Sequence, residues 1–200
     1  MRGSRRTRER QDRSRIIALN PDAFVSPGWL EGLSSRMTEG LAAVGPVSDR
    51  VAGLQFVGHY LLGRQARVED LPATMAAEQA GASRESQMLM GVCLMMRRDL
   101  LDAHGLLCEE TSLGADDLDI SWRYRMLGYK LLVVPGVFVR HVGSASFATL
   151  PSLETRKLVR RSDRALLQRL RAYYGEDGVP SSMELFGSDI FAEALSRAYA

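Results

Sequence analysis

The sequence predicts an α/β domain, and three observations predict it. Short apolar runs with β-branched residues, at 16–19 and 41–47, are cut off by turn-forming residues, as strands are. Stretches with helical starts and stops lie between such runs; one opens on Asp116 and Asp117 and is closed by Gly128. The chain has 200 residues with 46% apolar content, enough for one domain with a core of its own.

In chain order, residues 1–15 form a basic arm. They carry seven arginines against Glu9 and Asp12, a local charge of +5 in a chain of net +2, which leaves −3 for the rest. A segment so poor in apolar residues cannot bury enough surface to order itself, so the arm is expected to be disordered. It has no aromatic side chain to stack on a base, which argues against nucleic acid as a partner. Its charge suits peripheral contact with an anionic membrane face.

Residues 16–19 form the first strand. Pro21 keeps Asn20 out of the helical region, so Asn20-Pro21-Asp22 is a turn at the strand's end. A helix over 27–39 follows, with Ser26 as N-cap, Pro27 at the first helical position, and Trp29, Leu30 and Leu33 inward. A strand at 41–47, an irregular stretch at 48–65 and a helix at 66–80 lead to an apolar strand at 88–96. There Gly91 permits close backbone approach. A helix at 98–104 stops at Gly105. After the acidic helix come a strand at 129–134, a turn at Pro135-Gly136, and a second strand ending in Arg140-His141. Beyond residue 149 the character changes. A long Arg-rich helix over 153–174, with Leu158, Leu166, Leu167 and Leu170 on one stripe, precedes a tail at 175–200 punctuated by Gly and Pro. The predicted organisation is therefore a disordered arm at 1–15, an α/β domain at 16–150, and a C-terminal helix and tail at 151–200.

Composition narrows the function classes. The longest apolar stretches, at 88–96 and 131–139, fall short of the ~20 residues that cross a bilayer. With no apolar signal segment either, the expected compartment is the cytoplasm, with peripheral contact at the inner face of the membrane. Cys93 and Cys108 make neither a disulfide scaffold nor a metal cluster, and Cys93 reads as a small buried hydrophobe.

The chemically informative residues sit at element ends. A carboxylate on a turn at the end of a buried strand lies where open α/β sheets bind ligands, which singles out Asp22. Asp116 and Asp117 open a helix, where they complement its dipole. Adjacent like charges lift one pKa, which suits a general base. His141 ends the last strand and is an acceptable ligand for Mn²⁺. Each has an ordinary structural reading too: a good turn, a helix cap, a hydrogen-bonding histidine. Trp122 reads as core, His59 and His104 carry no assigned role, and Arg97, Arg98, Arg123 and Arg125 read as solvated.

Five blocks in one order carry a resemblance. The segment at 19–30 (LNPDAFVSPGWL) closely resembles the metal-binding strand and following helix of family 2 glycosyltransferases of the GT-A fold. Residues 44–48 (VGPVS) resemble that family's next strand, and 91–98 (GVCLMMRR) its acceptor-side strand. Residues 115–119 (ADDLD) match its acidic motif and 141–144 (HVGS) its histidine turn. The resemblance implies a GT-A mixed sheet flanked by helices with a C-terminal helical extension. It also implies a hexosyltransferase type of activity. That activity is metal-dependent, inverting transfer of a sugar from a nucleoside diphosphate-sugar to a carbohydrate or lipid-linked acceptor, as in surface polysaccharide assembly. Asp117 falls on the base position and Asp116 beside it. Asn20 and Asp22 fall on the two acidic positions of the cofactor-binding motif, the first being an amide here. Asp22 and His141 are the implied ligands of Mn²⁺ or Mg²⁺. Such proteins open on a nucleotide-binding strand-helix-strand-helix unit. Here only residues 1–15 precede the strand that leads into the first block, so the chain is expected to match the C-terminal two-thirds, truncated at its N-terminal side. The rival expectation is a non-catalytic fragment or binding subunit that needs a partner chain, or a second copy of itself, for the nucleotide half.

Overall fold

A computed structural model describes residues 14–105, 108, 110–111, 113–143 and 152–198. Most of the predicted basic arm (residues 1–13), and Ser144 of the histidine block, lie outside the described residues. Six strands form one mixed sheet: β1 (Arg15–Leu19), β2 (Ala23–Val25), β3 (Leu41–Ser48), β4 (Arg84–Ser86), β5 (Cys93–Arg97) and β6 (Lys130–His141). Their order is β1-β5-β3-β6-β2, with β4 also paired to β6. β5 runs antiparallel to both β1 and β3, while β3 is parallel to β6. β1, β3 and β6 therefore all point the same way. β2 and β4 pair antiparallel with β6, one near each end.

The helices are α1 (Trp29–Ser34), α2 (Leu71–Glu78), α3 (Arg98–His104), α4 (Asp116–Met126), α5 (Ser152–Tyr174), α6 (Ser182–Phe186) and α7 (Ala192–Ala198). All eight residues of β3 are buried, as expected for a central strand covered on both faces. Alternate side chains of β5 divide between two cores. Leu94 and Met96 join Met75 of α2, Leu100 of α3 and Tyr124 of α4; Cys93 and Met95 join Leu33 of α1. A third cluster packs Leu118 and Trp122 of α4 against Leu166, Leu167 and Leu170 of α5, with Phe186 and Phe191. Trp122 is thus core, as the sequence suggested.

Several predicted boundaries move, each for an identifiable reason. The strand expected at 88–96 begins only at Cys93, because the preceding backbone N–H groups are taken by side chains. Leu89 N donates to Ser121 Oγ (3.1 Å), Met90 N to Gln55 Oε1 (2.5 Å) and Gly91 N to Asp117 Oδ2 (3.0 Å). Ser26 does not cap the first helix. Its hydroxyl donates to the Phe138 carbonyl (2.8 Å), and α1 starts after a left-handed Gly28, shorter than the predicted 27–39. The helix predicted at 66–80 is α2, starting at Leu71 with Pro72 in its first turn. The tail at 175–200 holds α6 and α7. α6 opens on a capping box, Ser181 with Glu184, a pairing the sequence itself spells.

The largest correction is at Pro135-Gly136. No turn forms there: β6 runs continuously from Lys130 to His141, and both of its halves stay on β3. The register slips instead, from Val134 opposite Pro46 to Phe138 opposite Val47. Val134 and Val137 consequently face the same core although they are three residues apart. Pro135 has no N–H to lose, and a bulge is where a strand tolerates it. Gly136 lets the end of α2 come close, since a Cβ there would lie 2.9 Å from the Gln79 carbonyl oxygen. Gly136→Ala should therefore lower stability by about 1–3 kcal/mol. Gly40→Ala, where a Cβ meets nothing within 4 Å, should leave the urea midpoint nearly unchanged. Equal midpoints for the two variants would remove the close approach as the reason for glycine.

Candidate functional site

The shared direction of β1, β3 and β6 brings three chain ends to one edge of the sheet. Asn20 follows β1, Asp49 and Arg50 follow β3, and His141 closes β6. Open α/β sheets bind ligands at such carboxyl ends. At the first, the Asn20 carbonyl accepts from Ala23 N (3.1 Å), closing the predicted Asn-Pro-Asp turn. The chain then returns as β2, a strand not anticipated from the sequence, with Ala23 opposite His141. Val142 N donates to the Asp22 carbonyl (3.1 Å), which extends that pairing by one step. This register sets Asp22 beside His141, with Oδ1 3.3 Å from Nε2 and the two side chains 10% and 18% exposed.

The imidazole is held from behind by the segment after β3. Its Nδ1 lies 2.8 Å from the Arg50 carbonyl oxygen. A carbonyl only accepts, so Nδ1 carries a proton; Nε2 is thereby aimed at the Asp22 carboxylate, as a donor when it holds a proton and as a lone pair when it does not. Lone pairs facing each other at that distance require a proton or a cation between them. The His141 amide donates to Asp49 Oδ1 (2.8 Å), and Arg50 Nη1 donates to the Val142 carbonyl (2.5 Å). Backbone support of this kind, fixing tautomer and orientation, is typical behind a metal-ligating histidine. Asp22 and His141 fit two positions around a divalent cation. Among the described residues no group of three or more His, Cys, Asp or Glu side chains is arranged to hold one.

The acidic pair arrives on α4. The helix begins after Gly114 and Ala115, both with positive φ (77° and 63°), a conformation rare for alanine. Asp117 is 9% exposed, and both its oxygens accept backbone N–H groups, from Gly91 (3.0 Å) and Leu118 (2.9 Å). Burial, aided by the neighbouring Asp116 charge, pushes its carboxyl up to about 6, and the backbone donors pull against that shift. Burial also raises Asp116. The role of Gly91 differs from the expected one: a Cβ there would be at ordinary contact distance from Asp117, so its amide matters rather than its missing side chain.

Asn20, Arg50, Gly91, Asp116, Asp117 and His141 all line one cleft of about 420 Å³. A larger hollow of about 560 Å³, along α5 and lined by Arg160, Arg164 and Arg171, contains none of these residues. The arginines read as solvated split two ways. Arg97 and Arg98 pair with Asp99 and Asp102. Arg123 and Arg125 are instead structural: Arg123 binds Asp119, and Arg125 donates to the Gln87 and Leu185 carbonyls.

A family model described as glycosyltransferase like family 2 matches residues 4–160. The chain belongs to that family. Its mixed sheet with flanking helices is the α/β arrangement of the GT-A type. No curated protein gives a significant match to the chain. No described helix of this glycosyltransferase domain is long and apolar enough to cross a membrane. All five residues singled out from the sequence gather at the cleft: Asn20, Asp116, Asp117 and His141 line it, and Asp22 touches His141. Asp49 and Arg50, which anchor His141, were missed. The end-of-strand rule that picked out Asp22 also points to them, since they directly follow β3.

A raised carboxylate gives a pH signature with a definite sign. The stability Asp117 contributes is fully present when both states are protonated, below its ordinary value of 3.8, and is lost as pH rises through about 6. Wild type should therefore gain stability relative to Asp117→Asn as pH falls from 7 to 4, by on the order of 2 kcal/mol. A difference that stays flat across that range in urea titrations would contradict the buried, raised carboxyl.

Proposed function

We propose that this glycosyltransferase domain carries out metal-dependent, inverting transfer of a sugar from a nucleoside diphosphate-sugar to a carbohydrate or lipid-linked hydroxyl, in surface glycan assembly. One observation carries the reading: the buried Asp117 carboxyl and His141, whose Nε2 lies against Asp22, line the same cleft.

Asp117 is the general base. Each of its oxygens accepts one backbone N–H and keeps a second lone pair for a proton. As the acceptor oxygen bonds to the sugar's anomeric carbon, its proton passes to Asp117, and the bond from that carbon to the diphosphate breaks. Attack from the face opposite the leaving group inverts the configuration. A carboxyl near 6 is ionised enough at neutral pH to accept the proton, and basic enough to draw it. Asp116, beside it and half-buried, orients the acceptor. Asp22 and His141 would hold a divalent cation, Mn²⁺ or Mg²⁺, which supplies charge neutralisation on the departing diphosphate. Asn20, on the same turn, adds an amide oxygen to that wall.

The test separates base from cation site. Asp117→Asn should reduce sugar transfer and donor hydrolysis about 10²–10⁴-fold across a panel of nucleoside diphosphate-sugars, with Mn²⁺-dependent UDP affinity nearly unchanged by calorimetry. Asp22→Asn should instead weaken Mn²⁺ and UDP binding together. Wild-type rates in Asp117→Asn would remove the base assignment. UDP binding indifferent to both Mn²⁺ and Asp22→Asn would remove the cation site.

A further inference from the structure

The acidic turn of α4 is gripped from one side by α5, which runs on past residue 160, where the family match stops. Three contacts make the grip. Ser162, fully buried on α5, places its hydroxyl 3.3 Å from the Leu113 amide, just before the turn. Ala115 and Leu118, on either side of the acidic pair, pack with Leu166, Leu167 and Leu170. Asp119 has no exposed surface at all, and its two oxygens go to different elements. Oδ2 accepts from Arg123 Nε on α4 (2.8 Å), and Oδ1 accepts from Arg169 Nη1 on α5 (3.0 Å).

We propose that Arg169 is a positioning residue for Asp116 and Asp117: reaching from the C-terminal helix, it holds Asp119 and thereby fixes the first turn of α4 against the cleft. The physical argument is one of charge. Asp116, Asp117 and Asp119 put three carboxylates within four residues, and two of them are buried. A fully buried carboxylate is tolerable only while its oxygens are paired. Arg123, on the same helix, cannot hold α4 against anything else through Asp119; Arg169 can, because it belongs to α5. Removing its charge leaves Asp119 half-compensated, so the turn shifts and the field on its neighbours becomes more negative. The charge that acts on Asp117 is Asp116 beside it, and Asp119 in turn acts on Asp116; Arg169 reaches the pair through Asp119, while Arg50 and His141 line the same cleft.

This inference rests on Asp117 being the base, but its first readout needs no turnover. In protein with ¹³C-labelled aspartate, carboxyl titration should show the Asp116/Asp117 pair moving up by roughly half a unit in Arg169→Gln, which keeps a donor but loses the charge. Arg169→Lys, which keeps the charge, should titrate like wild type. The double variant Asp119→Asn/Arg169→Gln should return the pair toward its wild-type titration. With an active donor, kcat should fall roughly tenfold in Arg169→Gln at unchanged donor KM, and recover in Arg169→Lys. If Arg169→Gln only lowers the thermal midpoint, with the pair's titration and kcat unmoved, Arg169 is merely structural and the proposal fails. If the titrations behave as stated but wild type transfers no sugar, the positioning stands and the functional reading falls.

Discussion

β1 and β3 run in the same direction although they never touch, because β5 is inserted between them and lies antiparallel to both. β6 then joins β3 in parallel. That arrangement sends the ends of three strands to a single edge, and nearly everything at the cleft hangs on it. Asn20 and the Asp22 turn come from the first end, Asp49 and Arg50 from the second, His141 from the third. The link from sequence to site runs through backbone pairing: Ala23 opposite His141 is a β2–β6 register, and a shift of one residue would turn Asp22 away from the imidazole. The bulge at Pro135–Gly136 serves the same end. It moves the alternation of β6 out of phase, so the strand continues along β3 and still delivers His141 to β2.

The opposing wall depends on a different balance. Asp117 is buried enough to be raised and hydrogen-bonded enough to remain ionisable; one of its donors is Gly91 in the loop at 88–92, the other Leu118 on its own helix. That loop lends its N–H groups to Ser121, Gln55 and Asp117 rather than to a strand. The sheet is shortened there, and an acid is seated. A buried carboxyl placed this way costs stability, and the apolar packing of α4 on α5 to α7 offsets part of that cost.

Much of the architecture was legible in the sequence, and the acidic residues singled out there gather at one cleft. Residues 16–19 and 41–47 read as strands because their apolar runs end in turn-formers. Arg98–His104 was read to its last residue from Gly105. The site residues stood out because carboxylates and a histidine at element ends have few structural uses. What stayed hidden was non-local. β2 is three residues long, two of them exposed, and its reason for being a strand is the end of β6, over a hundred residues away. The first half of the strand predicted over 88–96 was overridden by acceptors on α4 and at Gln55, invisible to any local pattern. Pro135-Gly136 looks like a turn in isolation; only β3, pairing with both halves of β6, makes it a bulge. Asp119 gave no signal beyond its place in the motif, since its partner Arg169 is 50 residues on.

The central claim is that a cation bound at Asp22 and His141 faces the acid on α4 across one cleft. Paramagnetic broadening by Mn²⁺ in backbone amide spectra tests it most directly. At substoichiometric Mn²⁺ the amides of Asp22, His141 and Val142 should broaden first, then those of Gly91 and Asp117, while α5 stays sharp; Asp22→Ala should abolish the effect. Broadening centred on any other part of the molecule, or unchanged in Asp22→Ala, would contradict the account.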